Sequence, residues 1–321
     1  MKNIKIGIPK ALLYYKYQYL WKSFFNELNI DVETSGDTNK SIIDNGTKLI
    51  VDESCLALKI FVGHVNELKD KCDYILIPRI ETLQKKEKLC TNFLALYDLC
   101  NTIFDINILE FNIDVEKGIN EIDAFIEMGR TLGIGKIKSI KAYYKAKENY
   151  KKTLNTQKLK QEIMLKSTKD KILIVGHPYN LHDEFIGKPI AKYLEKNNTI
   201  PILTDLYTPN NYDYLNISTS NYWTFNKELL GAISHYKDKV DGIIIVTCFP
   251  CGPDSLSNEM ITRKIKDVPI ITLIIDELNN DSGIITRLES FTDIIKLKRG
   301  DKFGRWKNNL IPTSRRLLYT H

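Results

Sequence analysis

The run Asp241-Gly-Ile-Ile-Ile-Val-Thr-Cys-Phe-Pro-Cys-Gly-Pro-Asp-Ser255 leaves few folds open to this chain. Ile243 to Val246 are consecutive β-branched residues, the mark of a strand covered on both faces, while Pro253, Asp254 and Ser255 are helix-start signals. A strand of that kind feeding directly into a helix belongs to a parallel sheet, whose crossover helices cover both faces. Cys251 falls at the hand-over. Backbone N–H groups and the positive end of the helix dipole there favour its thiolate, the form that attacks electrophiles or binds soft metals. The carboxyl ends of parallel strands are also where open α/β sheets hold ligands.

The same alternation runs along most of the chain. Lys5-Ile-Gly-Ile-Pro9 predicts a strand, Ala11 to Leu28 a helix with Leu13, Tyr17, Leu20, Trp21, Phe24 and Phe25 at helical spacing, and Ile30 to Glu33 a short strand. Helices over Asn39 to Lys48 and Leu56 to Leu68 and a strand over Tyr74 to Ile77 follow. The plan then repeats: strand Lys171 to Val175, helix Ile186 to Glu195, strand Pro201 to Thr204, helix Trp223 to Tyr236, strands Ile243 to Val246 and Pro269 to Ile275, and a closing helix Gly283 to Lys298. Between the two series, Asp114 to Lys169 is rich in Lys, Glu and Ala with Gly133 and Gly135 as its turn residues, which predicts two connecting helices. The expected architecture is α/β, with two Rossmann- or flavodoxin-like parallel-sheet lobes: residues 1–113 as the first, 114–169 as a helical connector and 170–321 as the second. A cleft between the lobes, facing their strand ends, is the expected site.

The 321 residues carry 46 Lys and Arg against 40 Asp and Glu, a net charge of +6 spread along the chain. The richest basic stretch, Lys136 to Lys171, mixes both signs and lacks a stacking-aromatic motif, so it reads as a solvated helix face and not as a nucleic-acid surface. No apolar run approaches the roughly 18 to 20 residues of a membrane span, and Met1-Lys-Asn-Ile-Lys5 leads directly into a strand, so a cytoplasmic protein is expected. Walker, GxGxxG and GxSxG patterns are missing, which leaves nucleotide hydrolysis and serine-hydrolase chemistry without support.

Chemistry therefore rests on thiols and a few polar neighbours. Cys55 precedes the helical run Leu56 to His64, and Cys90 follows the Lys-rich loop Glu81 to Leu89; with Cys251 they form a set at the rims of both lobes. Cys72 and Cys100 are expected to be buried small hydrophobes, with Cys248 intermediate at a strand end. Gly176-His-Pro-Tyr-Asn-Leu-His-Asp-Glu184 puts His177 and His182 at a strand end, where either structural hydrogen bonds or an acid–base or metal role is open. Arg287 fits two readings, an anion contact or an ion pair with Glu277 or Glu289.

Gly7-Ile-Pro-Lys-Ala-Leu-Leu-Tyr-Tyr15, Val51-Asp-Glu-Ser-Cys55, Tyr74-Ile-Leu-Ile-Pro-Arg79, Gly176-His-Pro-Tyr179, Cys251-Gly-Pro-Asp-Ser255 and Ile285-Thr-Arg-Leu-Glu289 resemble acyl-CoA dehydratase activase-related proteins. Those are similar in turn to subunits of 2-hydroxyacyl-CoA dehydratases and to double-cubane iron–sulfur proteins. The resemblance implies an iron–sulfur protein of anaerobes in which Cys55, Cys90 and Cys251 hold a [4Fe-4S] cluster, with Ser255, His177 and Arg287 as substrate or supporting contacts. It also implies reductive dehydration or low-potential electron transfer, on an acyl-CoA or another small molecule. The electron would come from a separate activator ATPase, because the ATPase module that precedes this domain in related activases has no counterpart here. Six cysteines in all match the number a double-cubane [8Fe-9S] cluster needs. A non-catalytic electron-transfer or scaffold subunit is the alternative, and a homo- or hetero-dimer fits either.

Overall fold

The computed structural model describes residues 4–208, 213–278 and 281–302. Strands β1 (Lys5–Ile8), β2 (Asp31–Thr34), β3 (Tyr74–Thr82) and β4 (Ile108–Asp114) form a parallel sheet in the order β2-β1-β3-β4. Strands β5 (Lys171–Val175), β6 (Ile200–Leu203), β7 (Gly242–Cys248) and β8 (Ile270–Ile275) form a second parallel sheet with the same plan, β6-β5-β7-β8. Around them run α1 (Tyr14–Glu27), α2 (Lys40–Leu49), α3 (Leu56–Leu68), α4 (Thr91–Ile103), α5 (Glu121–Thr131), α6 (Lys136–Leu165), α7 (Pro178–Leu181), α8 (Lys188–Lys196), α9 (Thr224–Tyr236) and α10 (Gly252–Lys264). The chain divides into two compact units, residues 1–280, which hold both sheets, and residues 281–321, which hold α11 (Asp281–Lys302). Among the described residues no helix is long and apolar enough to cross a membrane.

Each sheet reverses direction once: the chain steps from β1 to β2 on one side and to β3 on the other, and does the same at β5, β6 and β7. Connections on opposite faces diverge at such a point and leave a crevice beyond the strand ends. β7 is buried along its whole length, as its continuous β-branched run requires. β3 extends five residues past its expected end at Ile77 and takes Pro78 into its middle. Its pairing with β1 ends at Ile75, while pairing with β4 continues to Thr82, so Pro78 needs to donate no bond on the β1 side.

The first core is aromatic: Trp21, Phe24, Phe25, Phe111 and Phe125 are fully buried, with ring centroids 4.8 Å apart for Phe24 and Phe125 and 5.2 Å for Phe111 and Phe125. The second is aliphatic, built on Leu173, Ile202, Leu230, Ile233, Ile243 and Ile245. Of the tyrosine-rich stretch of α1, Tyr14, Tyr15 and Tyr17 are buried in the core and Tyr19 is exposed at its rim. The two connecting helices are present. Gly133, with φ +73°, takes the left-handed turn after α5, and Gly135 caps the start of α6. At about 45 Å, the 30-residue α6 is long enough to run from the first core to the second sheet. Near its start Tyr143 packs on Phe125, and near its end the Gln161 amide bonds both the N–H and the C=O of Leu203 on edge strand β6, at 2.9 Å each.

Helices α2 and α3 meet through Gly46 and Gly63. A Cβ on Gly46 would stand 1.8 Å from the Lys59 carbonyl oxygen, and one on Gly63 2.1 Å from that of Ile42. Gly46→Ala should therefore push α3 away from α2 and cost about 1–3 kcal/mol. In urea unfolding the midpoint should fall with the slope unchanged; a midpoint equal to wild type would contradict this close approach.

Candidate functional site

Three helices begin at a cysteine. Cys55 is the N-cap of α3, Cys90 of α4 and Cys251 of α10, and none of the three forms a side-chain cap hydrogen bond. All three line one pocket of about 40 Å³, walled by Leu12, Phe93, Tyr179 and Phe225. A single water needs roughly 10–15 Å³ on this measure, so the pocket has room for a small group of atoms. Its wall comes from both sheets: Leu12, Cys55 and Cys90 from the first lobe, His177, Tyr179 and Cys251 from the second. These residues follow β1, β3, β5 and β7 or cap α3, so the pocket lies at the two reversal points. Leu12 holds φ +47°, a conformation unfavourable for leucine, and is itself buried.

Burial pushes the Cys55 and Cys251 thiols up. For Cys55 the Leu58 backbone N–H and the Asn92 amide, 3.6 Å from the sulfur, pull the other way; Cys251 is pushed further by Asp254 and pulled back by the Asp254 N–H. Cys90 adds to the rise at Cys55, and Cys55 and Cys90 add to that at Cys251. Positive potential here comes from helix N-termini, because no Lys or Arg is among the described residues of the lining.

Behind the thiols, Asp254 in the first turn of α10 is buried. Burial favours its neutral form, but His177 Nε2 at 2.8 Å, the Thr247 hydroxyl at 2.8 Å and the Asn226 amide at 3.0 Å outweigh that and hold it below the usual carboxylate range. His177 Nδ1 is buried with no partner among the described residues, and the ring stacks on Tyr179 at 5.1 Å. His177 is thus at the pocket, as a member of a hydrogen-bonded network. His182, the other histidine of that segment, pairs with Asp205 at 2.6 Å instead.

The remaining expectations divide. Ser255 is exposed and donates to the Cys251 carbonyl at 2.7 Å, outside the pocket wall. Arg287 is exposed on α11 in the second unit. Glu277, once a candidate partner for it, is 2.6 Å from Lys59, a lysine of α3 that is 2% exposed. Cys100 is buried as expected, its thiol pushed up to about 12 by burial alone. Cys72, expected to be buried, is half-buried next to Gly7 on β1 because it precedes β3 and not the sheet interior. Cys248 ends β7 and donates to the Asn180 side chain at 3.2 Å. Among the described residues no three His, Cys, Asp or Glu side chains are already arranged to hold a metal ion. Asp254 and Asn226 were not singled out from sequence as site residues. Asp254 reads there only as a helix-start signal, and Asn226 is a buried amide on α9 with no local pattern to mark it.

A two-lobed α/β protein with a thiol-lined pocket where its sheets reverse is the class these features define. The chain belongs to the CoA enzyme activase uncharacterised domain family, whose profile matches residues 5–206. No curated protein matches it. Among solved structures it is similar to a zinc-bound variant of AdcAII from Streptococcus pneumoniae, at 12% identity over 92% of this chain and 98% of that one, TM-score 0.28. It is also similar to the solute-binding protein FpvC from Pseudomonas aeruginosa in complex with Mn2+, at 11% identity over 94% and 100%, TM-score 0.28. Likenesses this distant carry no functional argument.

The lobes are locked by a buried chain on the far side of α3. The Thr38 hydroxyl lies 3.0 Å from His64 Nε2 and donates to Asp183 at 2.5 Å, and Tyr15 reaches the same carboxylate at 3.4 Å. Burial, aided by Lys10, lowers His64 from 6.5 to about 3. Between those values the unfolded chain binds a proton that the fold refuses, so stability falls as pH falls through the window. Burial raises Asp183 above 3.8, so its proton uptake on acidification offsets part of the loss near the bottom of the window. From pH 7 to 5, urea unfolding should show wild type losing about 2 kcal/mol more than His64→Leu. Equal losses would mean that His64 is protonated inside the fold.

Proposed function

We propose that this chain is an iron–sulfur protein in which Cys55, Cys90 and Cys251 hold a [4Fe-4S] cluster, serving low-potential electron transfer or reductive dehydration as in the 2-hydroxyacyl-CoA dehydratases it resembles. The observation that carries this reading is the meeting of three cysteine N-caps from two lobes on one pocket. Thiolates are the donors that iron–sulfur clusters use, and three of them leave one iron open. When bound, such a cluster supplies one-electron chemistry and a coordination position for a substrate oxygen.

The chain's own residues do the rest. The first-turn N–H groups of α3, α4 and α10 stabilise negative charge on the sulfurs. Phe93, Tyr179, Phe225 and Leu12 exclude water. His177, oriented by Asp254, is the group placed to position a polar substrate atom or hold a proton. Cys72 and Cys100 lie off the pocket wall, which favours one cubane over a double-cubane [8Fe-9S] cluster. The electron donor would be a separate activator ATPase docking on the face where Phe249, 56% exposed, adjoins Cys251.

Because burial keeps the Cys55 and Cys251 thiols protonated at neutral pH, iron loading must release protons and should improve from pH 6.5 to 8.5. After anaerobic reconstitution, Cys55→Ser, Cys90→Ser and Cys251→Ser should each lose most of their iron. Cys100→Ser should retain it, at a stability cost of about 1 kcal/mol. Equal loss from Cys100→Ser would favour the double cubane, and full retention by Cys251→Ser would defeat the assignment.

A further inference from the structure

A second cavity, of about 240 Å³, opens at the carboxyl ends of β5 and β6 and shares two residues, His177 and Phe225, with the thiol pocket. One face of α6 forms its far wall. Tyr150, Leu154, Gln157 and Lys158 recur at helical spacing and all line it, so the connecting helix contributes to a site as well as joining the lobes. Its volume is about six times that of the thiol pocket, enough for a small organic molecule.

The charges of the wall decide what enters. Glu228 is held by Lys16, whose ammonium reaches both carboxylate oxygens at 2.8 Å. Asp205 is held by His182 at 2.6 Å. Lys158 differs: it donates to the Thr208 hydroxyl, and among the described residues no carboxylate pairs with it. Burial alone lowers its pKa, the mark of a cation that would gain from an anionic partner. Two of its three donors are uncommitted in the described contacts, and Tyr150 lines the cavity from the same helix. Leu154, Leu206, Phe225 and Leu229 make an apolar part of the lining, and Gln157, Thr204 and Thr208 add neutral polar groups. The His177 ring, 3% exposed and with no partner for Nδ1 among the described residues, stands where the two cavities adjoin.

We infer that this cavity is a binding site for a small organic monocarboxylate with a flat apolar body, its carboxylate on Lys158 and its body against Phe225 and Leu229. A lysine with no carboxylate partner among the described residues calls for an anionic group, and the apolar part of the wall calls for a body that a bare inorganic anion lacks. The site stands whether or not the thiol pocket carries a cluster. If it does carry one, a ligand here lies one imidazole ring away from it.

The test is calorimetric titration of the metal-free full chain with sodium benzoate, against benzylamine and benzyl alcohol as cationic and neutral analogues of the same shape. Benzoate should bind about tenfold more tightly than either. Lys158→Met should weaken it about tenfold or more, and Leu154→Trp, which fills the cavity, should abolish it. Circular dichroism monitors folding, and Lys158→Gln replaces the Met variant if that one fails to fold. The Cys55, Cys90 and Cys251 triple serine variant should bind benzoate as wild type does, which separates this site from the proposed cluster. Equal binding of benzoate and benzylamine, or unchanged binding by the Lys158 variants, overturns the inference.

Discussion

A helix leaves its first N–H groups without partners inside the helix and carries roughly half a positive charge at that end. In this protein three such ends, those of α3, α4 and α10, converge on one small pocket, and each begins with a cysteine. The rest of the first unit can be understood as the frame that brings them there. Two sheets of identical strand order present their reversal points to one another, and α3 and α10 enter from opposite lobes. The contact of Gly46 and Gly63 fixes α3 against α2. The Lys59–Glu277 pair ties α3 to the segment after β8, and the Leu56 N–H bonds the Phe249 carbonyl at 3.0 Å, joining the start of α3 to the loop that carries Cys251. Lys59 is buried and Glu277 half-buried, so removing Glu277 would leave a buried ammonium unpaired, which costs more than an exposed ion pair contributes.

Two electrostatic effects oppose each other at the sulfurs. Burial disfavours the thiolate, and the helix ends favour it by about 0.3–1 kcal/mol each, reaching about 2 in partly buried geometry. Burial wins for Cys55 and Cys251, so their resting form is the neutral thiol. A soft cation would reverse the balance by supplying the missing positive charge, and its binding would then release protons and draw the two lobes together. Asp254 resolves the same conflict differently. Its carboxylate is buried among donors that compensate it in place, which keeps the His177 ring fixed between the thiol pocket and its larger neighbour.

Much of the frame was legible in the sequence because buried parallel strands write themselves as β-branched runs. Ile243 to Val246 and Lys171 to Val175 appear as strands where the periodicity puts them. The edge strand β4 was not singled out, since Ile108 to Asp114 alternates polar and apolar residues and lacks such a run. The extension of β3 through Pro78 was hidden for a different reason: proline normally ends a strand, and only the early end of its pairing with β1 makes Pro78 harmless. The helix-start positions of Cys55, Cys90 and Cys251 could be read locally, from the apolar helical runs after them. Asp254, Asn226 and the face of α6 that lines the larger cavity depend on contacts between residues far apart in sequence, such as Asn226 and Asp254, which local pattern does not encode. The half-exposure of Cys72 is a further case, set by its place at the amino end of β3.

The central claim is that the three cysteine N-caps act as one thiolate site, and the most direct measurement is iron and acid-labile sulfide analysis of the wild-type chain purified without oxygen, with electron paramagnetic resonance after reduction. The account predicts equal iron and sulfide at one cubane per chain and the signal of a reduced [4Fe-4S] cluster. A chain that is fully folded, holds neither iron nor sulfide after purification or anaerobic reconstitution, and gives no such signal would contradict it.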